Sequence, residues 1–178
     1  MAHFWFPDNT VFCNFAAVER LDLLKALLDG RGRWTEAVAF EVHRSAKHLA
    51  AMAAIEDDGW LGEPIAVSQA HSERIERIRV AALGGSPARP LEHRGEAETC
   101  YVIREVVGRT ECVWITDDEA AFDFGKRQGI ETWDTTTVIE RCVADGLSTL
   151  EDAFALLMAM FDQDRAPRRR PAKPQDLC

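Results

Sequence analysis

Two short apolar runs in this chain each end in aspartate, and they constrain the fold more than any other feature. The first is the stretch His3–Thr10 (HFWFPDNT), which turns polar at Asp8, and the second is Glu111–Thr116 (ECVWIT), which precedes Asp117 and Asp118. A continuous apolar run bounded by turn residues is typical of a buried parallel strand. Open α/β folds bind ligands at the carboxyl ends of such strands. We therefore expect these aspartates to lie together at one edge of a sheet.

Helical and strand-like segments alternate along the chain. Helices are predicted over 10–29, 35–52, 72–83, 95–107, 119–128, 135–144 and 148–161, with further strands over 31–34, 63–68 and 130–133. Ser148 and Glu151 form a capping box for the last helix. The alternation predicts an α/β fold, a three-layer α/β/α sandwich with a mostly parallel central sheet. We expect one domain over 1–163, followed by a basic, proline-rich and disordered tail over 164–178.

Composition limits the kind of protein. A net charge of −9 argues against a protein that coats duplex nucleic acid, and it suits either a carboxylate cluster around a cation or an ordinary acidic surface. The five cysteines form no CxxC pair, so we expect small core side chains rather than a disulfide framework or a zinc ribbon. No signal-peptide pattern or stretch of about 20 apolar residues is present. We therefore expect a cytoplasmic protein that does not associate with membranes.

Acidic side chains at four places are candidates for chemistry. They are Asp8, Glu41, the pair Glu96 and Glu98, and the pair Asp117 and Asp118. Clustered carboxylates suit hard divalent cations such as Mg²⁺ and Mn²⁺, which can activate water for phosphodiester cleavage. Each place also has an ordinary alternative, because the aspartates can cap the helices that follow them and Glu41 can be an exposed helix residue.

Helix geometry separates Glu96 from Glu98. The two residues are about 200° apart around a helix at roughly 100° per residue. Glu96 falls beside Ile103 and Val107 on the apolar stripe, whereas Glu98 falls on the opposite side. We therefore expect Glu96 to be the buried ligand and Glu98 to be a solvated residue near a helix N-terminus.

Four segments, taken in order, resemble the PIN-domain family. They are FPDNTVFCNF at 6–15, TEAVAFE at 35–41, GEAET at 95–99, and WITDDEAA at 114–121 with GKRQGI at 125–130. The resemblance extends from about Phe4 to Leu150, which is most of the chain. Two departures are Pro7, which stands where the family has an apolar strand residue, and the tail, which has no counterpart.

The resemblance implies a Mg²⁺- or Mn²⁺-dependent ribonuclease, and many such small proteins are toxins of bacterial toxin–antitoxin pairs. It implies catalytic, metal-binding roles for Asp8, Glu41, Glu96 and Asp117. Asp118 is a further metal-ligand candidate and Glu98 a second choice, and Thr10 and Asn14 are hydrogen-bond partners of the ligands.

Single-stranded RNA is the expected substrate because its bases are accessible to stacking. Basic candidates for phosphate contacts are Arg31, Arg33, Arg44, Lys47, Lys126, Arg127 and the tail. The alternative hypothesis is a non-catalytic PIN-like module that binds RNA or protein.

Two kinds of protein partner are also expected. One is an antitoxin protein, and the other is a second copy of the chain, because Phe154, Leu157, Met158 and Phe161 form an apolar face on the last helix. His43, His48, His71 and His93 have no metal-ligand spacing, and we interpret them as surface residues.

Overall fold

The computed structural model describes residues 4–177, so His3 and Cys178 lie outside it. The fold is mixed α/β, a three-stranded parallel sheet surrounded by helices. The strands, in sheet order, are β1 Phe4–Pro7, β2 Cys112–Ile115 and β3 Glu131–Trp133. The helices are α1 Asn9–Ala17, α2 Leu21–Leu28, α3 Glu36–Ser45, α4 Ala53–Asp57, α5 Ser72–Arg77, α6 Arg94–Val102, α7 Glu119–Arg127, α8 Thr135–Ala144 and α9 Leu150–Asp162.

Each face of the sheet carries its own hydrophobic core, because successive strand side chains point to opposite faces. Trp5 of β1 and Ile115 of β2 belong to one core, and Phe6 and Trp114 belong to the other. β1 pairs with β2 from Phe4 opposite Cys112 to Pro7 opposite Ile115. This register brings the carboxyl ends of both aspartate-ending strands side by side, as the sequence predicts.

Pro7 costs the sheet no hydrogen bond, although the family that the chain resembles has an apolar strand residue at this place. In a strand, alternate backbone N–H groups face alternate neighbours. The N–H of Asp8 points to β2, where it donates to Ile115 O at 2.9 Å, while that of Trp5 points the other way and donates to Arg31 O at 3.0 Å. The nitrogen of Pro7 therefore faces the outer edge, where a missing donor is tolerated.

The predicted strands at 31–34 and 63–68 are reduced to single bridges, Trp5 with Gly32 and Thr35 with Ile65. Pairing beside β1 ends early because Thr35 already caps α3, its hydroxyl accepting a hydrogen bond from Val38 N. The predicted helix over 10–29 is likewise divided, at Glu19, whose φ of 55° lies in the left-handed region. The last helix is capped one residue later than predicted, by Thr149, whose hydroxyl accepts from Asp152 N at 3.1 Å.

The tail, predicted to be disordered, packs against the domain over residues 165–177. Arg169 donates to Asp134 Oδ2 at 2.8 Å and to Glu140 Oε1 at 2.9 Å, and Thr136 donates to the Arg169 carbonyl at 2.7 Å. Leu177 is 1% exposed and belongs to the core. Composition could not show this packing, since it depends on buried partners that the rest of the fold supplies.

The apolar face of α9 packs against the core of the protein and is mostly covered by it. Leu157 is fully buried, and Phe154, Met158 and Phe161 pack against the same core. This face therefore gives no support to the expected homodimer. The cysteines at 13, 100, 112 and 142 are free and buried, as predicted. Within residues 4–177, no helix has the length and hydropathy needed to cross a bilayer.

Candidate metal centre

Asp8 lies at the carboxyl end of β1 and is held by donors on several sides. One carboxylate oxygen, Oδ1, accepts the Asn9 backbone N–H at 2.7 Å. The other, Oδ2, accepts hydroxyl donors from Thr10 at 3.0 Å and from Thr116 at 3.4 Å. Asp8 is therefore both the cap of α1 and a fixed, buried carboxylate, and Thr10 is the hydrogen-bond partner that the resemblance implies.

Glu41 approaches this edge of the sheet from α3. It is half-buried, and its Oε1 accepts the Gly95 backbone N–H at 3.1 Å. A side chain at residue 95 would place a Cβ only 2.8 Å from Glu41 Oε2, so glycine is required for this close approach. The segment 35–41, which ends at Glu41, therefore meets the segment 95–99, which begins at Gly95.

Glu96 and Glu98 are both buried, so the prediction that Glu98 is solvated is wrong. The helix that carries them, α6, is buried along its length from Gly95 to Val102 and packs against α3 and α5. Glu98 Oε1 accepts the backbone N–H of Ala37, in the first turn of α3, at 3.0 Å. Glu96, by contrast, accepts no hydrogen bond from any other residue within 4–177. Glu98 therefore anchors α3, and Glu96 remains available to a ligand.

The Asp117 carboxylate does not point into the carboxylate cluster of which we predicted it to be a member. Its carboxylate accepts from Asn14 Nδ2 at 2.8 Å, from Thr135 N at 3.0 Å, from the Thr135 hydroxyl, and from Arg168 N at 3.3 Å. These four donors fill its acceptor sites. Asn14 is accordingly a partner of Asp117 rather than of Asp8.

Asp118 occupies the place expected for Asp117. It caps α7, its Oδ1 accepting Ala121 N at 2.8 Å. Its other oxygen, Oδ2, lies 3.6 Å from His93 Nδ1. The charge of Asp118 also contributes to the raised pKa values of Asp8 and Glu96, as expected for near neighbours.

His93 is a member of the site that sequence reasoning missed. Its Nδ1 is 3.6 Å from Glu96 Oε1 as well as from Asp118 Oδ2, and one donor atom from each residue lies within 4.8 Å of the others. The imidazole is largely shielded, with 19% of the side chain exposed. The sequence signal that could have identified His93 is its spacing from Glu96. The two residues are three positions apart at the start of a helix, and this spacing can place both side chains on one side of it.

The buried carboxylates are poorly compensated in the protein itself. Burial, followed by repulsion from a neighbouring carboxylate, raises the pKa values of Asp8, Glu41 and Glu96 to about 8. The neighbour is Glu96 for Asp8, Asp8 for Glu41, and Glu41 for Glu96. No Lys or Arg nitrogen in the described chain lies within 4.0 Å of these three groups. A divalent cation would supply the missing charge, and an oxygen-rich donor set fits one.

Four of the basic residues predicted to contact RNA lie away from this cluster. Arg31 and Arg33 stack over Trp5 and Phe4, with ring-centroid distances of 4.3 and 4.9 Å. Lys126 and Arg127 are in the last turn of α7, about 12 Å of helix rise from its first turn.

Other basic side chains lie close to Glu41. Arg44, Lys47 and His48 line a groove with Glu41 and Asn9. A second groove, on the other side of Glu41, contains Arg44, Arg94 and the exposed ring of Phe40. Arg44 and Lys47 are thus the predicted basic residues that flank the acidic site.

Comparison with known families, with curated proteins and with solved structures gave no match to this chain.

Proposed function

We propose that this protein is a PIN-like, divalent-metal-dependent endoribonuclease built on a three-layer α/β/α sandwich. The observation that carries the proposal is the convergence of carboxylates at the carboxyl end of a parallel sheet, with no Lys or Arg nitrogen of the described chain within 4.0 Å of Asp8, Glu41 or Glu96. The side chains that would hold Mg²⁺ or Mn²⁺ are Asp8, Glu41, Glu96 and Asp118, with His93 beside them. When bound, the cation supplies a nucleophilic water and stabilises the charge on the leaving oxygen.

The protein's own contribution is to fix the ligands before the cation arrives. Thr10 and Thr116 hold the Asp8 carboxylate from one side. The Gly95 N–H orients Glu41, and the Ala121 N–H orients Asp118. Such hydrogen bonds to ligating carboxylates preserve their direction and raise metal affinity.

The proposed substrate is single-stranded RNA, which would pass beside Glu41. Arg44, Lys47 and His48 would contact its phosphates, offsetting a body that is otherwise acidic. Phe40, 51% exposed in the neighbouring groove, offers an aromatic face on which an unpaired base can stack. Duplex RNA presents no free base face and is expected to be a poor substrate.

The proposal is tested by incubating the purified protein with single-stranded and duplex RNA oligonucleotides. We expect cleavage of the single strand with Mn²⁺, none with EDTA, and a loss of at least ~100-fold in Asp8→Asn. Asp22→Asn is the matched control, because Asp22 is exposed and pairs with Arg20 on α2. Equal cleavage by the wild type and Asp8→Asn would refute the proposal, and RNA binding without cleavage would favour the non-catalytic alternative.

A further inference from the structure

His93 brings a nitrogen donor to a cluster whose other donors are carboxylate oxygens. Its Nδ1 lies 3.6 Å from Glu96 Oε1 and 3.6 Å from Asp118 Oδ2. Both separations are longer than an N–H···O hydrogen bond. They are slightly longer than the spacing of about 3.0–3.4 Å expected between neighbouring donors around one cation with bonds of about 2.1 Å. The three side chains are therefore arranged around a space rather than bonded to one another.

A second observation, independent of His93, also points to a ligand here. Glu96 is 9% exposed and accepts no hydrogen bond from any other residue of the described chain. A buried carboxylate that has no donor except its own backbone N–H, and no Lys or Arg counter-ion, is strongly unfavourable. Its oxygen faces the His93 nitrogen, so the missing partner belongs between them.

A buried arginine holds the backbone of the loop that carries His93. Arg79 is 1% exposed, and its Nη1 donates to the carbonyl oxygens of Ser86, Arg89 and Glu92, each at 3.2 Å. The loop so held ends at His93, whose φ of 57° is left-handed. This anchoring keeps the imidazole in place at the cluster.

We propose that His93 is a metal ligand, and that its imidazole makes the centre prefer a first-row transition-metal dication such as Mn²⁺ over Mg²⁺. The inference rests on the proposed metal-dependent function and narrows the class of its cofactor. Imidazole nitrogen is a good ligand for transition metals, whereas Mg²⁺ favours oxygen ligands and retains its waters. A centre of carboxylates alone would discriminate less between the two ions.

His93→Asn is the appropriate variant, because asparagine tolerates left-handed backbone and replaces the nitrogen donor with an amide oxygen. The control is His43→Ala, since His43 is exposed and pairs with Glu56 on the far side of α3 from Glu41. Pulsed electron paramagnetic resonance of bound Mn²⁺ should detect a ¹⁴N coupling in the wild type and in His43→Ala but not in His93→Asn. Calorimetric titration should show the Mn²⁺-to-Mg²⁺ affinity ratio falling at least ~10-fold in His93→Asn.

The outcomes separate this inference from the proposed function. If Mn²⁺ binds the wild type without nitrogen coupling and His93→Asn keeps the same affinity ratio, the inference is wrong. The proposed function then stands if Asp8→Asn still weakens Mn²⁺ binding. If the wild type binds neither Mn²⁺ nor Mg²⁺, both are overturned. Thermal unfolding of each variant in EDTA identifies any loss of binding that results from misfolding.

Discussion

The carboxylates of Asp117 and Asp118 belong to consecutive residues but face different parts of the molecule. Asp117 turns toward α8 and is filled by Asn14, Thr135 and the tail backbone. Asp118 caps α7 and turns its free oxygen toward His93. One aspartate therefore stabilises the structure around the site, and the other contributes charge to it.

This division predicts different effects of the same substitution at the two positions. Asp118→Asn should weaken Mn²⁺ binding ~10- to 100-fold, because it removes a charged ligand. Asp117→Asn should leave the Mn²⁺ affinity nearly unchanged. It should lower the free energy of unfolding by about 1–3 kcal/mol, because one of the two oxygens that accept hydrogen bonds is replaced by an NH₂ group. Calorimetric titration and urea denaturation measure the two effects. The reverse ranking for Mn²⁺ affinity would restore Asp117 as a ligand.

The raised pKa values predict how the stability of the metal-free protein depends on pH. The pKa values of Asp8, Glu41 and Glu96 are about 8 when folded, against about 4 in an unfolded chain. Between these pH values the folded state binds more protons than the unfolded state. The contribution of these three groups to the free energy of unfolding is therefore fully present below pH ~4 and is lost as the pH rises through 8.

Asp8→Asn isolates this contribution because it removes one of the three groups. Relative to the wild type without metal, the variant should gain stability progressively from pH 5 to pH 8. Added Mn²⁺ should stabilise the wild type more at pH 8 than at pH 6, since the cation replaces bound protons. Thermal unfolding across this pH range gives both quantities, and a pH-independent difference between the two proteins would contradict the assigned burial of Asp8.

We expect Glu98 to stabilise the fold and not to bind the metal. Glu98→Ala removes the acceptor of the Ala37 N–H and should lower the free energy of unfolding by about 1–3 kcal/mol. Glu98→Gln keeps an acceptor oxygen and should cost less. Chemical denaturation compares the two variants, and a loss of Mn²⁺ binding in Glu98→Gln at unchanged stability would make Glu98 a ligand after all.

The tail contacts predict a moderate effect of Arg169→Ala. The variant leaves Asp134, which is 1% exposed, without its guanidinium partner. Because the Arg169 side chain is 49% exposed, solvent screening reduces the loss, and we expect about 1–2 kcal/mol. The same variant should make the peptide bonds after Asp164 more sensitive to limited proteolysis. Arg170→Ala, which removes only a stacking contact with Phe161, is the control, and equal sensitivity of the two variants would argue against the Arg169 contact.

The three strands of the sheet, the α/β class and the burial of Glu96 could be predicted from local pattern, because apolar runs and helical stripes follow burial directly. The division of the predicted helix at Glu19 could not, and neither could the end of α3 at Ser45, where a helix to residue 52 was predicted. Each depends on a backbone turn that does not interrupt the apolar periodicity. The tail was misjudged for a related reason. A basic, proline-rich composition indicates disorder only when the fold offers no buried acidic partner. In this protein Asp134 is such a partner for the tail.

At the site, the sequence named all four carboxylates that the structure brings together, but it placed Asp117 ahead of Asp118 as a ligand. Asp117 and Asp118 are chemically identical in sequence, so only the direction of each side chain at the strand end separates them. His93 was interpreted as a surface residue because its spacing from Glu96 is a weak signal by itself. What fixes its place is a left-handed backbone in a loop that Arg79 organises, and such long-range contacts leave no local pattern.

Anomalous X-ray diffraction from crystals soaked in MnCl₂ would locate the bound cation. We expect a manganese peak bounded by Glu96, Asp118 and His93, on the side that faces Asp8 and Glu41. We expect no such peak in Asp8→Asn crystals grown at the same pH. No peak in the wild type, or a peak between Asp117 and Thr135 instead, would refute the proposed metal centre.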